Sequence, residues 1–457
     1  MNKILAIAGI AIRNAVRSRI VIILLGILLL VIVGLPLTVK GDGTIAGQVR
    51  VLLGYTLGLV SFILSLTTLW AGCAAVSLEI QERQIHLVVT KPVARAQIWL
   101  GKWLGLLILN AALLAFSGAV VYGLLRWTHR PEKLTPEQLV ELRENTLIAC
   151  TVVRPDPLNI DDKVRAELET LRAGSRVPDD VPESEVEKAV RQRMLTDAFS
   201  VPQGGMRQWI FAAPAPAKTV APPLVRFRFS SSSIGPESIP GRWTVQRESG
   251  GDPFQAVQTN TSGMACLLKV PADAAVGAGA LRVTYENLSA SPIVVSFDPA
   301  DGLLLYLPVT GFEANFARAL LVILCRLAFF AALGVTAGSL FSMPVASFVS
   351  ICALLMIQIS GYIQSIAGQD ALLHSHRHGP AGAPAFWDHF FSAVFKAFNA
   401  VVGPLQGFDP LELLTTGQLV TWGMLGSVFV VQGVVYGGAL MAISAWVLNK
   451  RELALPS

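Results

Sequence analysis

Five long runs of this sequence contain no aspartate, glutamate, lysine or arginine. A helix needs about 20 apolar residues to cross the ~30 Å hydrocarbon core of a bilayer, so these runs predict membrane-spanning helices. The longest run exceeds one crossing, and Ser342-Met343-Pro344 predicts a break that leaves helices over 316–341 and 345–366. Six spans are therefore expected. The five runs cover 20–39, 51–78, 103–125, 327–369 and 413–449.

Charged residues are concentrated in one part of the chain. Residues 129–312 hold 19 of the 36 Lys and Arg residues and 22 of the 31 Asp and Glu residues. The chain as a whole is only 15% charged, against about 25% for a soluble globular domain. This contrast excludes an ordinary soluble enzyme. It predicts a water-exposed domain over 129–312, inserted between spans three and four.

Basic residues in the short loops predict the orientation of the spans, because cytoplasmic loops carry an excess of lysine and arginine. They precede span one, lie between spans two and three, and follow span six. We therefore expect a multi-pass protein of the cell inner membrane with both termini in the cytoplasm, and with 129–312 and 367–419 outside. The basic residues are Lys3, Arg13, Arg17, Arg19, Arg83, Lys91, Arg95, Lys102, Lys450 and Arg451.

Two further segments show amphipathic helical patterns. Residues 1–19 keep basic side chains apart from an apolar stripe, which predicts a cytoplasmic helix along the inner membrane surface. A simple cytoplasmic lead into span one also fits. Phenylalanines at helical spacing over 386–402 predict an interfacial helix in the outer loop. The expected order is spans one to three over 20–128, spans four and five over 313–366, the outer loop over 367–419, and span six with the tail over 420–457.

The 129–312 domain has two parts. Residues 132–200 are charged and mostly helical in pattern, with Pro136 and Pro182 each opening a candidate helix. Residues 208–307 contain short apolar or alternating runs separated by turn residues, which is the spacing of a β-sandwich. The expected fold is a polytopic α-helical membrane protein with an inserted extracytoplasmic α+β domain. The runs cover 209–212, 224–229, 243–246, 265–270, 280–285, 293–297 and 303–307.

Three aromatic residues and two cysteines of this domain invite a functional interpretation. Trp209, Trp243 and Tyr285 could stack on a ligand, but aromatic residues of a small sandwich are normally buried, so we expect them in the core. Cys150 and Cys266 lie in a compartment that permits a disulfide. Their pairing stays open, because the sequence gives no distance between the two Cα atoms.

The stretch over 79–102 joins spans two and three as a cytoplasmic hairpin. Glu79 ends span two, a short mixed helix follows, Thr90-Lys91-Pro92-Val93 forms a turn, and Arg95 starts the next helix. The short helix carries apolar residues beside Glu82 and Arg83, which predicts a face that docks in the groove of a partner. A solvated loop that only satisfies the topology is the alternative. The residues assigned to coupling are Glu79, Glu82, Arg83, Val88, Lys91, Pro92, Arg95 and Lys102.

This hairpin resembles the loop between spans two and three of ABC-2 type transporter permeases. That loop has an acidic residue, a KPV-R turn and a following GK, which Glu79, Lys91-Pro92-Val93-Ala94-Arg95 and Gly101-Lys102 match here. The resemblance includes the six-span layout but not the large external domain. It implies a permease subunit of an exporter, coupled to a separate ATPase that binds ATP and Mg²⁺. It also implies a second permease copy, in a homodimer or with a related subunit. Glu79 is expected to pair with Arg83 or Lys102.

The chain has no motif for chemistry of its own. The phosphate-binding pattern G-x-x-x-x-G-K-[ST] does not occur, so ATP is expected on the partner and no cofactor on this chain. No Ser/His/Asp set or HExxH motif indicates an enzyme. Membrane lipids are expected partners and nucleic acid is not. The alternative to the permease is a membrane-anchored extracytoplasmic binding or sensory protein that acts through its β-sandwich, but six spans exceed what an anchor needs.

Arg326 is a charged residue near the middle of span four. A charge at that depth costs about 2.5 kcal/mol or more, so it marks a functional site unless the span starts deeper and the side chain reaches the surface. Its expected partners are Gln358 on span five and Ser65 and Thr67 on span two. Together these four residues predict a polar transport pathway.

Three histidines alternate in the outer loop, at His374, His376 and His378. Alternating imidazoles can hold a divalent metal ion. A flexible polar loop is the favoured interpretation, because the sequence shows no preorganised set of ligands.

Overall fold

The computed structural model describes residues 2–17, 20–39, 45–82, 94–130, 135, 147–156, 161–173, 183–212, 221–233, 235, 237–248, 250, 252–271, 279–299, 301–367, 399–405 and 408–450. The chain divides into two compact units. One consists of Met1–Thr146 and Glu313–Ser457, and the other of Leu147–Phe312. The second unit falls within the charge-rich segment.

Five helical stretches of the described chain are long and apolar enough to cross a membrane. A further apolar helix, Ile22–Thr38, is shorter. The predicted break at Ser342-Met343-Pro344 is confirmed, since one helix ends at Leu340 and the next begins at Met343. Proline is readily accepted in the first turn of a helix, where the backbone N–H groups have no partner in any case. The five stretches are Gly47–Gln81, Arg95–Thr128, Phe312–Leu340, Met343–Ser360 and Trp422–Lys450.

Most of the described helices belong to the first unit. In chain order the helices of both units are α1 (Asn2–Arg17), α2 (Ile20–Thr38), α3 (Ile45–Arg50), α4 (Leu57–Gln81), α5 (Arg95–Thr128), α6 (Asp161–Ala173), α7 (Glu183–Ala198), α8 (Phe312–Leu340), α9 (Met343–Ala367), α10 (Pro410–Thr415), α11 (Trp422–Val428) and α12 (Gly437–Lys450). Helices α6 and α7 belong to the second unit. Two π-helical turns, Val51–Thr56 and Phe429–Tyr436, join α3 to α4 and α11 to α12. The spans containing them therefore continue through the turns.

Helix α1 packs against the first turns of α5. A Cβ atom on Gly101 would lie 2.7 Å from the Ile7 side chain, and one on Gly105 would lie 2.9 Å from the Ala8 carbonyl oxygen. The two glycines therefore allow a close approach of the helices that larger residues would prevent. Ala8 is buried as a result. Part of the apolar stripe that the sequence assigns to the membrane surface is thus covered by protein.

The segment before the last apolar helical stretch, Trp422–Lys450, contacts α4 and α8. Arg326 Nη2, near the middle of α8, donates a hydrogen bond of 2.6 Å to the Phe408 carbonyl oxygen. Leu411 of α10 lies 3.4 Å from the position that a Cβ atom on Gly58 of α4 would occupy. Residues 408–415, part of the segment predicted as an outer loop over 367–419, therefore pack against α4 and α8, and their side of the membrane stays a prediction. Most of the predicted interfacial helix over 386–402 lies outside the described residues.

The second unit is rich in β-structure. Its described strands are β1 (Ile148–Val153), β2 (Ser200–Val201), β3 (Met206–Phe211), β4 (Leu224–Ser231), β5 (Ser238–Arg247), β6 (Phe254–Thr261), β7 (Ala265–Lys269), β8 (Leu281–Asn287), β9 (Val295–Phe297) and β10 (Leu303–Gly311). One sheet has the order β1-β10-β4-β9-β2, with β7 also paired to β4, and the other has the order β3-β8-β5-β6. The pairings are antiparallel, as expected for short strands joined by turns.

All seven predicted strands are confirmed, within a few residues at each end. Two long strands are missed. Strand β1 lies in the segment predicted to be mostly helical, where Thr151, Val152 and Val153 supply β-branched side chains that favour a strand. Strand β6 is missed because its residues are largely polar, as an edge strand allows. The predicted helix after Pro182 is confirmed as α7, whereas the one after Pro136 lies outside the described residues.

The core of the second unit is formed by aromatic residues from both sheets. Trp243 of β5 contacts Phe227 of β4, with ring centroids 4.4 Å apart, and Trp209 of β3 contacts Phe297 of β9 at 5.2 Å. Tyr285 is also buried there. The expectation that the three aromatic residues belong to the core is confirmed. They are not free to stack on a ligand.

Cys150 and Cys266 are free thiols. In the strand register, Cys150 of β1 lies opposite Pro308 of β10, whereas Cys266 of β7 lies opposite Phe227, on the far side of β4. Three strand spacings of about 4.8 Å separate them, well beyond the Cα distance of a disulfide. Burial raises the pKa of the Cys150 thiol to about 12, which keeps it protonated and unreactive at neutral pH.

Candidate functional site

A cleft of about 360 Å³ lies between α1, α2, α4 and α5. Its walls are mainly apolar, and alanines of α4 leave the space that larger side chains would fill. Its polar lining residues include two pairs, one at the end of α4 and one deeper, together with Asn14, Thr67 and Glu82. A concave apolar site with a few convergent polar groups is the usual form of a binding site. The pairs are Glu79 with Lys102 and Thr68 with Asn110.

The first pair is a buried ion pair. Lys102 is only 4% exposed. Its Nζ lies 2.5 Å from Glu79 Oε2 and also donates to the Ala75 carbonyl oxygen. A buried ammonium requires such partners, because its separation from water is otherwise very unfavourable. The pair therefore links the last turn of α4 to the first turns of α5, the two helices that flank residues 83–93.

The second pair lies deeper in the cleft. Asn110 follows Lys102 by eight residues, which corresponds to about 12 Å along α5. Thr68 Oγ1 lies 2.9 Å from Asn110 Oδ1. Asn110 is 4% exposed, and among the described residues its Nδ2 has no hydrogen-bond partner. Asn110 was not among the site residues predicted from the sequence. Its place in the charge-free run over 103–125 was the one sequence feature that could have indicated it.

The structure describes half of the residues assigned to coupling. Glu79 pairs with Lys102, the second of the two partners expected for it. Glu82 is exposed at the end of α4 and lines the cleft, and Arg95 begins α5. The others lie outside the described residues, so their role stays a prediction. They are Arg83, Val88, Lys91 and Pro92.

The four residues of the predicted transport pathway are not brought together by the described hydrogen bonds. Ser65 and Thr67 donate to carbonyl oxygens of their own helix, at Ser61 and Ile63. Gln358 is exposed on α9.

Arg326 instead has a partner that the sequence analysis did not name. Its hydrogen bond goes to the Phe408 carbonyl oxygen, and Asp409 is near enough for electrostatic attraction. No local sequence signal indicated this contact, since 82 residues separate Arg326 from Phe408. The structure thus supplies a role for Arg326 in holding the segment that contains Phe408.

The predicted metal site consists of three alternating histidines. His374, His376 and His378 lie outside the described part of the chain. Among the residues that are described, no group of three or more His, Cys, Asp or Glu side chains is placed to hold a metal ion. The external histidines therefore remain a sequence-based prediction.

No protein-family model matches the chain, and no curated protein sequence matches it. The function is therefore inferred from the arrangement of the chain's own residues. The cleft, its buried ion pair and the apolar helices around it are the features that bear on function.

Proposed function

We propose that this chain is the membrane-spanning permease subunit of an ATP-driven ABC-2 type exporter. The observation that carries the proposal is the ion pair between Glu79 and Lys102. These are the acidic residue and the lysine of the hairpin that resembles the coupling loop of such permeases. Because the pair is buried, a displacement of the hairpin would be transmitted to both α4 and α5.

The proposal includes a sixth span. Helix α2 has 19 residues and is apolar throughout, which is within the range that crosses a bilayer. With the five longer helices it gives six crossings and puts both termini in the cytoplasm of the inner membrane. The Leu147–Phe312 unit then lies outside, where we propose that its two sheets form a β-sandwich around the aromatic core.

The energy source is a separate subunit in this proposal. An ABC ATPase binds ATP and Mg²⁺ and contacts the hairpin over 79–102, and a second permease copy completes the transport pathway. The absence of a phosphate-binding loop from the sequence supports this division of labour. The copy is the same chain in a homodimer, or a related chain in a heterodimer.

Co-purification tests the need for a partner. We expect the full chain, purified from its native membrane, to co-purify with a separate subunit that hydrolyses ATP. The chain alone should have no ATPase activity, because it lacks a site for the nucleotide phosphates. ATP hydrolysis by the single purified polypeptide would contradict the proposal. A chain that never retains an ATPase would favour the membrane-anchored binding protein.

Two substitutions in the hairpin test the docking. Val88→Asp should reduce ATPase stimulation by tenfold or more, because docking would bury an unpaired carboxylate. Glu82→Lys, a charge change at an exposed position, should cost only about 0.2–1 kcal/mol of binding free energy. The measurement is ATPase activity and complex stability at equal expression of both variants. Unchanged activity in Val88→Asp would show that the hairpin is only a topological loop.

A further inference from the structure

The cleft between α1, α2, α4 and α5 has polar groups at two levels. Glu79 and Lys102 stand at one end, and Asn110 lies about 12 Å further along α5. Between the levels the walls are formed mainly by apolar residues, Ala71, Ala74, Leu106 and Leu109 among them, and Asn14 and Thr67 also line the cleft. A molecule that matches this lining would be polar at two points and apolar between them.

The amide of Asn110 indicates what the deeper level requires. The side chain is nine-tenths or more buried, lines the cleft, and its Nδ2 has no hydrogen-bond partner among the described residues. Buried polar groups are normally hydrogen-bonded, and an unpaired amide inside an apolar helix bundle is unfavourable. The contact with Thr68 satisfies only one end of the amide. The other end has no partner among the described residues, so a ligand that reached it would satisfy it.

The other end of the cleft offers an acceptor. The Glu79 side chain is 28% exposed although one of its oxygens contacts Lys102. A carboxylate can accept several hydrogen bonds, so a hydroxyl-bearing head group can share it without breaking the ion pair. The volume of about 360 Å³ is sufficient for a small molecule, since ligand pockets are usually about 300–1,000 Å³.

We propose that this cleft binds an elongated amphiphile with a polar head at Glu79 and a hydroxyl group about 12 Å away at Asn110. A hydroxyl both donates and accepts, so it can pair with the free end of the amide in either orientation. A plain acyl chain would fill the apolar walls but leave the amide unpaired. The inference depends on the cleft alone and does not require coupling to an ATPase.

Direct binding to the full chain in lipid nanodiscs tests the proposal. The probes are radiolabelled 1-(8-hydroxyoctanoyl)glycerol and 1-octanoylglycerol, which differ only in the terminal hydroxyl. We expect the hydroxylated probe to bind at least tenfold more tightly. Asn110→Leu should abolish this difference, because the hydroxyl of the probe then has no amide to pair with. Equal affinities in the unmodified protein, or a preference that survives in Asn110→Leu, would overturn the proposal.

A matched pair of alanine substitutions locates the binding. Ala74→Phe places a ring in the cleft and should remove binding of both probes, whereas Ala119→Phe adds the same ring at an exposed position of α5 and should have no effect. This comparison also decides the matter if Asn110→Leu does not fold. Binding that persists in Ala74→Phe, or that neither probe shows in the unmodified chain, would also overturn the proposal.

Discussion

Replacing Glu79 by alanine is expected to lower the free energy of unfolding of the membrane-spanning unit by about 3–5 kcal/mol. The reason is that Lys102 is buried, and the substitution removes the carboxylate that lies 2.5 Å from its Nζ. The Ala75 carbonyl oxygen remains as a partner but does not neutralise the charge. Detergent-solubilised protein, unfolded by titration with SDS and followed by circular dichroism, gives the measurement.

Two variants separate the charge effect from a loss of packing. Glu79→Leu combined with Lys102→Met removes both charges and should restore most of the stability, because an apolar pair of similar volume often matches a buried ion pair. Glu82→Ala, at the exposed end of α4, should change the stability by less than about 1 kcal/mol. If Glu79→Ala is as mild as Glu82→Ala, the ion pair does not stabilise the helix arrangement.

Replacing Asn287 by leucine is expected to destabilise the Leu147–Phe312 unit by about 3 kcal/mol or more. The residue is fully buried at the end of β8. Its Nδ2 donates to the carbonyl oxygens of Val201 at 3.1 Å and Ile293 at 2.8 Å, and its Oδ1 accepts from the Ser289 N–H at 3.1 Å. Leucine would remove all three of these hydrogen bonds from the interior. Such a loss is a large part of the 5–15 kcal/mol that typically stabilises a domain.

Pulse proteolysis of the full chain in increasing urea measures this effect, with cleavage sites in the 147–312 region as the readout. Asn260→Leu is the matched control, because the Asn260 amide makes only a 3.5 Å contact with Gln258 on the edge strand β6. We expect the control to shift stability by less than about 1 kcal/mol. Equal urea midpoints for the two variants would show that the Asn287 hydrogen bonds are not needed.

The sequence located the spans and strands because their signals are local. A charge-free run of about 20 residues is read within one segment, and so are the break at Ser342-Met343-Pro344 and the alternation over β4. The same local signals failed where a segment's environment is unusual. Strand β6 was missed because it is polar at a sheet edge, and no local signal indicated that the segment at 408–415 contacts Arg326 of α8.

The candidate site could be predicted only in part, because its contacts join residues that are far apart in the sequence. The sequence alone selected Glu79 and Lys102 as residues of interest, but it left Arg83 as an equal partner, since residues four apart on a helix are also neighbours. The packing of α4 against α5 brings Lys102 to Glu79 and Thr68 to Asn110. Asn287 likewise lies outside the predicted strand over 280–285, among the residues expected to separate strands. Periodicity and charge report which side of an element is buried, whereas the identity of a buried polar group's partner depends on how distant elements pack together.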